Sequence, residues 1–206
     1  SLVQAPYVLN SDVDVADLDL SQADIPALDA HRLVLVNGQY TVAFSSLEEE
    51  DGLVVKPIED AANDPQFTRH FAQHADKTDN ALVYLNTALY TAGVFIEVKR
   101  NAVVNKPIHL VHVATGTEAF FAQTRNLIVA GANAEVEIIE SFITLAGSAK
   151  NLHNKVTEIV LEENAKMQHY YLQISDASSN YINHTEVYQN KHSLYNNYNC
   201  NFPGST

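Results

Sequence analysis

From Val94 onward the chain alternates apolar and polar positions with a period of two, almost to its end. The runs VFIEV (94–98), KPIHLVHV (106–113), NLIVA (126–130), EVEIIESFI (135–143), VTEIVL (156–161), KMQHYYLQI (166–174), INHTEVYQ (182–189) and SLYNNYN (193–199) each read as a strand. Almost no helical pattern separates them, which predicts an all-β unit rather than βαβ alternation. Upstream the pattern differs. In HRLVLVNGQYTVAF (31–44) two apolar runs flank Asn37-Gly38, a hairpin signal, because a tight turn of this kind needs positive φ at both central residues. In SSLEEEDG (45–52), Ser45 with Glu48 or Ser46 with Glu49 has capping-box spacing, and Gly52 is a stop. LVVKPI (53–58) is one more short strand. Asp64-Pro65 opens a helix, with Phe67 and Phe71 at i and i+4. A second helix is predicted from Thr78 or Asp79, with Leu82, Leu85 and Leu89 on one face and Gly93 just past its end.

The late strands carry a repeat. NLIVAGANAEVEIIESF (126–142) and EIVLEENAKMQHYYLQ (158–173) both set an apolar run before Asn-Ala and alternate afterwards. Aligned on that dipeptide, Ile128 matches Ile159, Val129 matches Val160 and Val136 matches Met167. A third copy holds Ile96, Arg100, Asn101-Ala102 and Val104, and a weaker fourth lies near Asn190. A near-constant period of about thirty residues is the mark of stacked architecture. One two-strand turn cannot bury its own apolar face, whereas the next turn stacked on it can, with parallel ladders satisfying the backbone. The expected fold is a parallel β-helix with Asn101, Asn133 and Asn164 in one column. Asn tolerates the left-handed conformation, and stacked amides hydrogen-bond along the file. A plain β-sandwich is the alternative. The parity of alternation after Asn164 reads as different from that after Asn133. The expected organisation is an N-terminal region with a short hairpin (1–62), a helical segment (63–93) and a β-helix (94–206).

Composition narrows the function classes. The chain has 206 residues, 46% of them apolar, enough for a real core. It carries 25 acidic against 12 basic residues, a net charge of −13, which argues against nucleic acid or an anionic membrane as partner. Four Asp fall in the first twenty residues, read as a solvated acidic arm with one short helix. Cys200 stands alone, so no intramolecular disulfide is expected, in keeping with a reducing compartment. No apolar run is long enough for a membrane span. The start SLVQAPYVLN lacks the basic and apolar regions of a secretory signal and begins with Ser, and the end NCNFPGST still reads as strand and turn. A truncated chain is expected.

The candidate chemistry is sparse. His109 and His112, three apart in a strand, point to opposite faces. His70 and His74, at i and i+4, read as solvated helix histidines. His169, His184, His192 and Cys200 fall late enough for a solenoid to gather them around a soft metal, with surface histidines as the plainer reading. Glu135 and Glu137 share a strand face that Glu140 does not, and all three read as outward solubilising groups. No phosphate loop, nucleophile elbow or dinucleotide fingerprint occurs, and no catalytic residue is identified.

Several stretches resemble the Suf iron–sulfur assembly proteins of the SufB/SufD family: LNTALYTAGVFIEVKRNAVVNKPIHLVHV (85–113), LHNKVTEIVLEENAKMQHYYLQ (152–173) and YQNKHSLYNNYN (188–199). RLVLVNGQY (32–40), SSLEEEDGLVV (45–55) and the helix before ALVYLNTA (81–88) look more like SufD than SufB. The resemblance implies a right-handed parallel β-helix flanked by helical parts. It implies a non-catalytic cytoplasmic scaffold that pairs with SufB, binds the SufC ATPase and handles nascent iron–sulfur clusters, with no cofactor held by this segment. It also implies a chain that continues beyond residue 206, so the open end of the β-helix could pair two copies. The rival readings are a β-helix carbohydrate-active enzyme and a metal-binding β domain using His169, His184, His192 and Cys200.

Overall fold

The computed structural model describes residues 7–9, 14–16, 18–77, 79–174 and 178–202. Thr78 lies outside these residues, as do Asp12 and Asp17 of the acidic arm. The strands form two six-stranded sheets facing one another. In chain order they are β1 (Val8–Leu9), β2 (His31–Val36), β3 (Gln39–Tyr40), β4 (Leu53–Pro57), β5 (Val94–Val98), β6 (Ile108–Ala114), β7 (Phe120–Ala130), β8 (Glu135–Thr144), β9 (Asn151–Leu161), β10 (Lys166–Ile174), β11 (Ser179–Gln189) and β12 (Leu194–Asn201). The first sheet runs β11-β9-β7-β5-β4 with β1 beside β7, and the second β12-β10-β8-β6-β2-β3. The chain therefore crosses from one sheet to the other at every rung: β5–β6, β7–β8, β9–β10, β11–β12. Each strand pairs in parallel with its equivalent on the next rung. This is a parallel β-solenoid.

The repeat read from the sequence is the register of the ladders. Ile96 pairs with Ile128, Ile128 with Ile159, Val129 with Val160, and Val136 with Met167. The bends between sheets use the left-handed conformation at Asn101 (φ 62°), Asn133 (φ 59°) and Asn164 (φ 59°). Asn133 Nδ2 donates to Asn101 Oδ1 at 2.8 Å, and Asn164 Nδ2 donates to Asn133 Oδ1 at 3.1 Å. On the last rung the left-handed position belongs to His192 (φ 59°), not Asn190. Asn190 instead donates to the Glu162 carboxylate at 2.7 Å. Inside, Leu33, Leu35, Ile96, Ile108, Leu110, Ile128, Val136, Ile138, Ile159 and Met167 form the main core. Burying each such side chain stabilises by roughly 1.5–3 kcal/mol.

The N-terminal region closes the first end of the solenoid. β2 continues the second sheet in parallel beside β6 and turns back through Asn37-Gly38 into antiparallel β3. Asn37 (φ 50°) and Gly38 (φ 88°) both have positive φ, as the hairpin requires. β4 caps the first sheet antiparallel to β5, and its Lys56 and Pro57 blunt the free edge. Leu20 and Ala23 cover the outer face of the second sheet at Val34, Val36, Val111, Val113 and Ile143.

Three local expectations fail for tertiary reasons. No helix forms at 45–52. Ser45 Oγ donates to Thr41 O and accepts from Val34 N–H, Glu48 binds Lys106, and Glu50 binds His31 and Asn105. The Ser45 and Glu48 side chains are thus already engaged, and the Ser46 backbone is bridged to Arg32. Helix α1 (Pro65–His70) begins at the expected Asp64 cap but stops early. The Glu158 carboxylate takes the N–H groups of Ala72, His74 and Ala75 and holds the chain in a turn. Helix α2 (Ala81–Leu89) is capped by Asn80 and buries Val83 and Asn86, while Leu82, Leu85 and Leu89 stay exposed. Its inner face is selected by polar partners. Asn86 Nδ2 donates to the backbone carbonyls of Thr124 (3.0 Å) and Asn154 (2.8 Å), and Arg125 reaches Thr87 Oγ1 at 2.8 Å.

Gly93 lies where the helical segment enters β5, and close approach is its task. A Cβ there would sit 1.8 Å from the Arg125 carbonyl oxygen. Gly93→Ala is expected to cost at least about 3 kcal/mol, read as a lower urea midpoint. A change below 1 kcal/mol would mean the β5–β7 contact is not tight.

Candidate functional site

The solenoid interior is apolar beside the Asn bends and polar toward the opposite side. The polar part centres on Glu140 of β8, which is completely buried. Glu140 Oε2 receives His112 Nε2 of β6 at 3.0 Å and also the Lys155 ammonium of β9. Glu140 Oε1 receives His169 Nε2 of β10 at 3.0 Å, and His169 Nδ1 lies 2.8 Å from the Tyr195 hydroxyl of β12. One carboxylate therefore ties three rungs and both sheets together, and His169 extends the line to the last rung. Burial opposes its charge. The Lys155 ammonium and the hydrogen bonds from His112 and His169 outweigh burial and hold the carboxyl well below its ordinary range. Phe142 stacks on His112 (4.5 Å) and Tyr171 (4.5 Å), and Lys155 Nζ lies 5.0 Å over Phe142. Beside this group His153 packs edge-on to Phe120 and stacks on Tyr181, and its Nε2 is buried without a partner. Burial pushes His153 down to about 3.

Glu140 thus departs from the solubilising role expected of it. Glu135 and Glu137 are half-buried and Glu135 pairs with Lys166, but Glu140 points inward. The parity expectation also fails. Val136, Ile138 and Glu140 pair with Met167, His169 and Tyr171, so the same parity is inward on both rungs. Polar residues at the inward positions Glu140 and His169 hid the match.

A second buried ion pair lies on the outer face of the first sheet. Arg125 Nη2 meets Glu158 Oε2 at 3.0 Å beneath the helical segment, and the guanidinium lies 5.5 Å over Phe71. Through the turn N–H groups that Glu158 accepts, this pair fastens residues 65–90 to the solenoid. His70, expected to be solvated, is buried 3.8 Å from Glu162, and His74 stacks on Tyr188. His109 and His112 do lie apart. His109 reaches Ser141 Oγ at 2.8 Å on the outer face, and burial pushes it down to about 4.

The suggested metal ligands are not brought together. His169 is buried inside with both ring nitrogens engaged, and His184 lies on β11 in the other sheet, 3.5 Å from Glu186. His192 is exposed at a bend, and Cys200 is exposed on β12 opposite Leu172. Among the described residues no three His, Cys, Asp or Glu side chains are placed to hold one ion. No helix of the described residues is long and apolar enough to cross a membrane. The residues that organise the interior, Glu140, Lys155 and His112, were missed by sequence reasoning. The one available signal was charge inside otherwise apolar strands.

The described residues thus form a parallel solenoid with a capped first end and a cross-linked polar interior. Its sequence places it further. Residues 7–110 match the SufBD protein N-terminal region, and residues 112–206 match the SufBD core domain of the SUF iron–sulfur cluster assembly system. The chain belongs to the SufBD family. It is 29% identical over 177 residues to an iron–sulfur cluster assembly SufBD family protein of Staphylococcus aureus (strain MRSA252), covering 81% of this chain and 37% of that protein. It is 28% identical over 156 residues to one from Staphylococcus epidermidis, covering 72% of this chain and 33% of the relative. The chain spans about a third of the length of these curated relatives.

Proposed function

We propose that this chain is the N-terminal region and first β-helix rungs of a SufD-like subunit, a non-catalytic scaffold in a cytoplasmic Suf-type iron–sulfur assembly complex. Its partners are a SufB-like subunit and a SufC-like ATPase, and the cluster is cargo of the complex. The observation that carries this reading is the match of residues 7–110 and 112–206 to the two SufBD sequence regions, on a chain whose described strands form a parallel solenoid. The SufD assignment rests on the stretches at 32–40 and 45–55 and on the helix that precedes 81–88. The mechanism is positional. Rungs locked in register by ladders, the Asn file and Glu140 present fixed surfaces to partner subunits.

Affinity purification of the tagged full-length protein from its source organism tests this. Co-purification of a SufC-type ATPase together with a separate SufB-type chain is the expected result. Recovery with the ATPase but no second family member would overturn the SufD assignment. Recovery with neither would overturn the assembly role.

A further inference from the structure

β4 is the terminal strand of the first sheet, and its outer edge pairs with no strand among the described residues. Lys99 N–H donates to Gly52 O at 2.7 Å and Ile58 N–H to Gly93 O at 3.1 Å. Antiparallel alternation then turns the backbone groups of Val54 and Lys56 toward β5, and those of Leu53, Val55 and Pro57 toward the open edge. The Leu53 N–H is taken by Glu50 O at 3.1 Å, and Pro57 has no N–H. Val55 therefore presents both a donor and an acceptor there, flanked by the Leu53 and Pro57 carbonyls. The Leu53 and Val55 side chains pack against the main core but are only half-buried. Beside this edge lies an open groove of about 790 Å³, between β4 and the loop 47–51. The loop is acidic from Glu48 to Asp51. Lys106 engages Glu48, and His31 and Asn105 engage Glu50. Glu49 and Asp51 are exposed, with no ion-pair partner among the described residues. On the strand itself the Lys56 charge is spent on Asp64 at 2.9 Å, and even with Lys99 beside Gly52 the loop stays net negative.

We propose that the β4 edge is a strand-addition site for an extended, basic segment of a partner protein. In strand addition the main-chain ladder supplies affinity and the flanking side chains supply selectivity. The incoming segment pairs with Val55 N–H and C=O, lays apolar side chains over Leu53 and Val55, and places lysines or arginines beside Glu49 and Asp51. Pro57 ends the pairing on one side and the Glu50–Leu53 turn ends it on the other. A second copy of this chain is a poor occupant, because it brings a net charge of −13 to an acidic groove. The site does not depend on the assembly role proposed above.

The test adds a fluorescein-labelled synthetic peptide, Lys-Val-Lys-Val-Lys-Val, to the full-length protein. Anisotropy follows binding, and hydrogen-exchange mass spectrometry follows the Val55 N–H. Saturable binding is expected, with Val55 exchange slowed by at least about tenfold at saturation. Glu49→Gln combined with Asp51→Asn should weaken binding about fivefold, the share of two exposed ion pairs. The same peptide N-methylated at alternate residues keeps its charge but loses its ladder donors, and it should not bind. No binding, equal binding of the N-methylated peptide, or unslowed Val55 exchange would overturn the site. So would a Val55 N–H already protected before peptide is added, which would give the edge to another part of the full-length chain or to a second copy.

Discussion

Glu140→Ala is expected to destabilise the protein by about 3–5 kcal/mol, the cost of leaving a buried partner charge uncompensated. The carboxylate is fully buried, and its removal strands the Lys155 ammonium together with the N–H groups of His112 and His169. Phe142 and Tyr171 wall the group, so each stranded donor is left in a buried, aromatic-lined site. For a chain of this size such a loss lowers Tm by roughly 6–20 °C. Urea unfolding of Glu140→Ala beside the parent measures it. The double variant Glu140→Leu with Lys155→Met separates charge from packing. Removing both charges and refilling the volume should recover the share of the loss that belongs to the stranded ammonium, and what is still missing is the cost of the unpaired His112 and His169 N–H groups. A Glu140→Ala loss under 1 kcal/mol would show that the group is hydrated and that Glu140 does not lock the rungs.

This interior also explains how much of the molecule was legible in the sequence. The apolar files were readable because Ile96, Ile128 and Ile159 recur before each bend, and recurrence is what a ladder register requires. The bends were readable because few residues other than Asn and Gly take positive φ cheaply. What pattern reasoning missed are the places where a polar side chain is buried and paired. Glu140 and His169 sit at inward positions and look like broken alternation until their partners on other rungs are known. Arg125, Glu158 and Asn86 do the same outside the first sheet. They turn the Val83 face of α2 inward and leave Leu82, Leu85 and Leu89 in solvent, against the preference that side-chain hydrophobicity alone would set. These pairings join residues between 15 and 86 positions apart, so no local window contains both partners.

The buried histidines set the response to acid. Burial holds His109 at about 4 and His153 at about 3 in the folded protein, against about 6.5 in an unfolded chain. Both stay neutral when folded, so as pH falls below about 6.5 the unfolded state binds protons that the folded state refuses. Their contribution is intact above that pH and is lost on acidification, at about 1.4 kcal/mol per pH unit for each histidine. Together they should remove about 7 kcal/mol between pH 6.5 and 4, with His153 alone continuing to about pH 3. Glu140 adds to the loss below about pH 4.5, because its carboxyl is held down in the folded state and protonates at higher pH once unfolded. Unfolding free energies at a series of pH values should therefore fall steeply through the mildly acidic range. His153→Phe keeps an aromatic ring between Phe120 and Tyr181 and removes the titrating nitrogens. It should lower the slope between pH 6.5 and 4 by about 1.4 kcal/mol per pH unit, the share of one histidine, while changing stability little above pH 7. A slope unchanged in His153→Phe would show that this ring takes up its proton without unfolding.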